Sequence, residues 1–301
     1  MKNLLNILLY NYNIEIENII EVNNEISYFY MDYVKYYILK SKRAGKDLKI
    51  ISEYLNNFIN DYHTIIKNRF GEIITEDNKS SYVLIRIKEP ENNEIELSDI
   101  INKQIIYTGN ELVLDRSNWE MLWSEKVDYL EYQVSEMGKN HPTVIKSFSY
   151  YIGLAENAIE YYTTIKNKNI PKALCQKRIK YPNLAKNYYN PLNLVIDYRV
   201  RDIAEYLKAK FFEGMEIIDD IELITNKNYF NETEYNLLYS RLLYPSYYFD
   251  ALTLVIEKNE KDDLLLKYIT ESTRYEKTLN QIYNILSKKC NLIKVAWLIK
   301  K

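Results

Sequence analysis

"LCQKRIKYPN" (residues 174–183) and "LVIDYRVRDIAEYLK" (residues 194–208) decide how this chain is read. The second stretch opens as a short apolar strand, "NLVID", ending at Asp197. A helix follows over about 200–212 and stops near Gly214. An aspartate there can cap the helix beside it, where free N–H groups wait for an acceptor. The first stretch belongs to irregular chain running from about 166 to 190. Its charged side chains are all cations, and Asn183, after Pro182, reads as a turn residue. Lys177, Arg178, Lys180, Lys186, Arg199 and Arg201 make this neighbourhood basic in a chain of net charge -2. Such a cluster suits an acidic segment of a partner or an anion, or it is a solvated loop whose charges point apart. Arg201 and Asp202 are expected to fix the helix against the loop. Cys175, with no histidine near it in sequence, reads as a small buried hydrophobe.

Around this centre the periodicity is helical from about residue 95 onward. Ser117 with Glu120 has capping-box spacing and opens "NWEMLWSEKVDYLEYQVSEM", whose stripe runs from Trp119 through Trp123, Val127 and Leu130 to Met137. Gly138 ends it, and Pro142 suits the first position of the next helix. Asn231 and Glu234 repeat the capping spacing before a helix limited by Pro245. Leu279, Ile282, Tyr283 and Leu286 mark a C-terminal helix.

The first hundred residues read differently. "EISYFYMDYVKYYILKSK" is dense in aromatic and β-branched residues and predicts two strands turning near Asp32. Asp47 is placed to cap a helix over about 48–62, with Leu48, Ile51, Leu55, Phe58 and Ile59 at helical spacing. "TIIKNRFGEIIT" and "SSYVLIRIKEP" predict two further strands, with Gly71 in a turn and Pro90 ending the second. The fold class is therefore α+β: residues 1–94 a small sheet lobe with one main helix, residues 95–301 a larger helical lobe, and a hinge near 90–98.

Composition excludes several classes. The near-neutral charge gives no global field for nucleic acid or anionic lipid. Two cysteines, Cys175 and Cys290, make no disulfide framework and suit a reducing compartment. With two histidines besides, no metal-ligand cluster has usable spacing. The apolar start "NLLNILL" is too short for a signal peptide, and no run of about 18 apolar residues exists to span a membrane. All six glycines stand alone, so no glycine-rich phosphate-cradling loop can be built from them. The 31 tyrosines read as coding bias plus core packing, with stacking or oxidative cross-linking as the functional alternative.

The chain resembles the spore coat proteins of the CotS and YutH type, a kinase-like branch near the aminoglycoside phosphotransferases and choline kinases. "KALCQKRI", "LVIDYRVRDIAEYLK", "RLLYPSYYFD" and "HPTVIKSFSYYIGLAENAIEYY", within roughly 140–250, carry the likeness. The resemblance implies a protein-kinase-like two-lobed fold. In active relatives a His-Gly-Asp loop is followed, after four intervening residues, by Asn, and a later strand ends in Asp. The first Asp takes the proton of the attacking hydroxyl, while Asn and the later Asp hold magnesium. Laid on this sequence, Gln176 falls at the His, Lys177 at the Gly and Arg178 at the base, with Asn183 and Asp197 at the metal positions. Arginine has donors only and stays protonated, so it cannot accept that proton. Loss of a general base typically costs about 10²- to 10⁴-fold. Lys40 would be the strand lysine pairing with nucleotide phosphates, and Glu53 its helix partner.

The resemblance thus implies a degenerate kinase with a structural or assembly role in the bacterial endospore coat, made in the cytoplasm and joined to other coat proteins. No cofactor is expected under that reading. The alternative is a phosphotransferase or nucleotide sensor using ATP and magnesium, with Asp202 or Glu205 recruited as base.

Overall fold

The structure, a computed structural model, describes residues 2–43, 45–56, 62–77, 80–89, 92–109 and 114–299. Its contacts divide the chain into two units: residues 1–94 with 184–194, and residues 95–183 with 195–301. A short segment from far along the sequence is thus part of the N-terminal unit.

The first unit holds α1 (Lys2–Tyr12), β1 (Ile20–Asn23), β2 (Ile26–Met31), β3 (Val34–Lys40), α2 (Gly45–Asn56), β4 (Thr64–Ile66), β5 (Thr75–Asp77) and β6 (Ser80–Arg86). The paired strands are antiparallel, in the order β1-β2-β3-β6-β4, and β5 shares with β4 the second edge of β6. Strand period two sorts the side chains. Phe29, Tyr36, Ile38, Tyr82 and Leu84 meet Ile7 and Leu8 of α1 on one face. Val83, Ile85 and Ile65 meet Leu48 of α2 on the other. Because both faces are covered, β6 reads as the continuous apolar run "YVLI". The β2–β3 turn falls at Asp32 and Tyr33, as expected, with positive φ values of 51° and 62°.

Several local expectations are corrected. Helix α1 was not foreseen. Helix α2 starts at Gly45, so Asp47 lies inside its first turn, where its charge suits the helix dipole. Phe58 and Ile59 lie outside the described residues, as do Pro90 and Glu91 of the expected hinge. "TIIKNRFGEIIT" is not one strand: the Asn68 side chain accepts the backbone N–H groups of Phe70 and Glu72 and bends the chain between β4 and β5. Gly71 stands in that bend at φ +83°.

The second unit contains α3 (Leu97–Asn102), β7 (Ile105–Tyr107), α4 (Trp119–Met137), α5 (Pro142–Thr164), β8 (Lys172–Gln176), β9 (Leu194–Tyr198), α7 (Val200–Phe212), α8 (Ile218–Asn226), α9 (Glu232–Leu243), α10 (Ser246–Lys258), α11 (Leu266–Leu286) and α12 (Ala296–Ile299); α6 (Ala185–Tyr188) belongs to the first. Strands β7, β8 and β9 form a small sheet in that order. The Asn231–Glu234 capping box of α9 is formed in both directions, and Pro142 is the first residue of α5. The cap of α4 is Asn118, whose side chain accepts the Met121 N–H, rather than Ser117. Buried tyrosines fill much of this unit, and several spend their hydroxyls internally. Tyr162 donates to the Ser117 carbonyl, Tyr239 to that of Leu279, Tyr275 to that of Leu242, and Tyr161 to the Asn236 side chain. Among the described residues no helix is long and apolar enough to cross a membrane.

Leu48 is fully buried between α2 and the sheet. Leu48→Ala is expected to lower stability by about 2–5 kcal/mol, the cost of a core cavity, read as a lower urea midpoint.

Candidate functional site

The end of β8, the end of β9 and the first turn of α7 meet in a buried polar knot. Asp197 is the last residue but one of β9 and is fully buried. Its Oδ1 accepts the Trp119 indole N–H at 2.9 Å and the Tyr198 backbone N–H at 2.7 Å. Its Oδ2 accepts from Arg201 at 2.5 Å. The two residues are four apart, so the start of α7 turns the guanidinium back onto the carboxylate. Arg201 also donates to the carbonyls of Gln176 and Lys177, both at 3.2 Å. Asp202 accepts the Gln176 N–H on both oxygens, at 2.8 and 3.0 Å. Arg201 and Asp202 thus clamp the helix to the loop after β8, as the sequence suggests. Asp197 does not cap α7, whose N-cap is Arg199 with no side-chain bond. Burial pushes the Asp197 carboxyl up, although Arg201 opposes it.

Residues 172–176, read as irregular chain, are strand β8. The apolar run "ALC" is too short to show a period. Cys175 within it is buried, as expected, and burial raises its thiol well above the ordinary value. Asn183 is buried; its backbone carbonyl accepts the Ile95 N–H at 2.8 Å and its side-chain nitrogen has no partner. Among the described residues no three His, Cys, Asp or Glu side chains gather as a metal site.

The basic cluster does not form one patch. Arg178 is exposed and doubly paired with Asp250, Nε to Oδ2 and Nη2 to Oδ1 both at 2.7 Å. Arg199 is turned onto Glu234 and the Tyr229 carbonyl. Arg201 is buried, and Lys186 lies in the first unit. Lys177 and Lys180 remain exposed beside Arg178. Sequence proximity brought these cations together on paper, but the strand–helix turn sends alternate ones to different elements.

In the first unit, Lys40 ends β3 and Glu53 stands on α2, both exposed, with no ion pair between them. Glu53 is exposed on a helix whose Leu48, Ile51 and Leu55 are buried. The same unit has a cavity of about 380 Å³ that the sequence did not reveal, walled by Ile26, Tyr37, Leu39 and Ile85 with Lys35 and His63. His63 Nδ1 accepts the Lys88 N–H at 3.2 Å, which leaves Nε2–H to donate to the Lys186 carbonyl at 3.0 Å. Burial lowers its pKa, so the imidazole is held neutral.

A second knot also escaped the sequence reading. Lys208, fully buried, donates to Glu205 at 2.8 Å, to Ser246 at 2.6 Å and to the carbonyls of Arg241 and Tyr244. Arg241 also donates to Glu205, at 2.7 Å. Burial pulls the Lys208 ammonium down to about 8. Burial would raise Glu205, but Lys208 and Arg241 outweigh it and hold the carboxyl well below its usual range.

The family model described as spore coat putative kinase YutH matches residues 6–282. The chain belongs to that family. An endospore coat-associated protein YutH from Bacillus subtilis is 27% identical over 290 residues, covering 84% of this chain and 85% of that one. Among solved structures, an aminoglycoside phosphotransferase from Alicyclobacillus acidocaldarius superposes with a TM-score of 0.65 at 9% identity, over 93% of this chain and 95% of that one. The choline kinase LicA from Streptococcus pneumoniae gives 0.55 at 10% identity, over 94% and 98%. The fold is that of the kinase-like phosphotransferases, and the membership expected from the residues is borne out.

Asp197→Asn should cost about 3–5 kcal/mol, because Arg201 would be left as an uncompensated buried charge. Arg178→Ala, breaking a pair whose side chains are 58% and 40% exposed, should cost at most about 1 kcal/mol. Equilibrium denaturation of the two variants checks both. Burial raises Asp202 to about 7 from 3.8, against the Gln176 N–H and Arg201. A raised carboxyl binds its proton more tightly when folded, so its stabilising effect is whole below 3.8 and is lost as pH rises through about 7. Asp202→Asn should flatten that fall, read as melting temperature from about pH 4 to 8.

Proposed function

We propose that this chain is a kinase-like protein that no longer transfers phosphate and that works as a structural or assembly component of the endospore coat. The observation that supports it most is the engagement of the would-be catalytic groups by the protein itself. Arg178, at the position the resemblance assigns to the base, can only donate, and it is held by Asp250. Asp197, at the metal position, spends both oxygens on Trp119, Tyr198 and Arg201. The substitutes Asp202 and Glu205 are likewise committed, one to the Gln176 N–H and the other to Lys208 and Arg241. The coat role rests on family membership and on the likeness to the coat-associated relative. Its partners would be other coat proteins, met after synthesis in the cytoplasm.

One observation favours a second reading, in which nucleotide binds without or with turnover. The apolar-walled cavity of the first unit, with Lys35 at its side, is of a size that takes a small ligand. Thermal-shift titration with ATP, with and without magnesium, separates the two. An idle coat component is expected to show no shift and no phosphate release. A magnesium-dependent shift accompanied by ATP turnover would overturn the proposal.

A further inference from the structure

Beside the Arg178–Asp250 pair, wholly within the second unit, lies a cavity of about 300 Å³. Arg116, Lys126, Lys177, Arg178, Arg201 and Arg241 line it, against one carboxylate, Asp250. That carboxylate is occupied through both oxygens by Arg178. Arg201 and Arg241 are buried and answered from behind by Asp197 and Glu205.

Arg116 and Lys126 have no such answer. Among the described residues the Arg116 guanidinium, which is exposed, makes neither an ion pair nor a hydrogen bond; only its backbone N–H is used, by the Ile196 carbonyl. The Lys126 ammonium meets the Thr253 hydroxyl at 3.0 Å and the Tyr129 ring at 5.2 Å, with no carboxylate at ion-pairing distance. Burial pulls its pKa down, with Glu257 and Asp250 acting only through their fields. The first turn of α10 also opens here, through Ser246 and Phe249, and its N-cap Pro245 brings no side-chain acceptor. The positive end of that helix adds to the field of the cations.

We infer that this cavity is a binding site for a small oxyanion-bearing ligand, a phosphate or a carboxylate, gripped by Arg116 and Lys126. Its volume lies at the small end of ligand pockets, which run from about 300 to 1,000 Å³, and so suits a single small molecule rather than a peptide segment. The guanidinium supplies a planar fork and the ammonium a point charge, the two donor forms that oxyanions take. The inference stands whether or not the chain turns over ATP, since it needs neither nucleotide nor magnesium.

The test is calorimetric titration of the full chain at low ionic strength, with inorganic phosphate and citrate in separate arms. Saturable binding of at least one is expected, weakened about tenfold or more in the double variant Arg116→Gln/Lys126→Gln. The double variant Lys288→Gln/Lys289→Gln removes the same charge from exposed positions elsewhere in the unit and should bind as the parent does. Phosphate alone binding points to a phosphate ester as the natural ligand, citrate alone to a carboxylate. The inference is overturned if neither anion saturates, or if both double variants lose affinity equally.

Discussion

The Asp197–Arg201 ion pair is the contact on which the second unit is built. A charge pair removed from water survives only when every remaining donor and acceptor is met. Here the indole of α4, the backbone at the end of β9 and two carbonyls beyond β8 meet them. One pair thereby fixes two strands, a helix start and a long helix in a single arrangement. The same closure leaves neither Asp197 oxygen without a partner.

The Glu205–Lys208–Arg241 knot does for helices α7, α9 and α10 what Asp197 does for the strands. Arg201 and Arg241 both line one cationic cavity and are paired, the first with Asp197 and the second with Glu205. Charges needed for packing therefore also contribute to the sign of that cavity.

Long periodic elements were legible in the sequence because period and caps agree there. Helices α4, α5, α7, α9 and α11 stand where their stripes and stop residues put them, as do strands β2, β3 and β6. Short elements were not. Strand β8 has too few residues to show a period, and β4 and β5 are parted by a side-chain turn at Asn68 that composition does not announce. The apolar start of helix α1 reads equally well as the opening of a leader. At the site, the clamp made by Arg201 and Asp202 was readable from residue types at their spacing. Partners far apart in sequence were not: nothing near Arg178 names Asp250, nothing near Asp197 names Trp119, and Arg116 and Lys126 are ordinary surface cations until the fold gathers them.

The tyrosine-filled interior has its own consequence. Burial raises the phenols of Tyr161, Tyr239 and Tyr275, and pushes Tyr248 up to about 12. A phenol harder to ionise when folded stabilises fully below its unfolded value of 10.0 and loses that contribution above it. Alkali must therefore prise the helices apart before it can form phenolate inside them, and the interior stays closed to chemistry that begins by stripping the phenol of its proton.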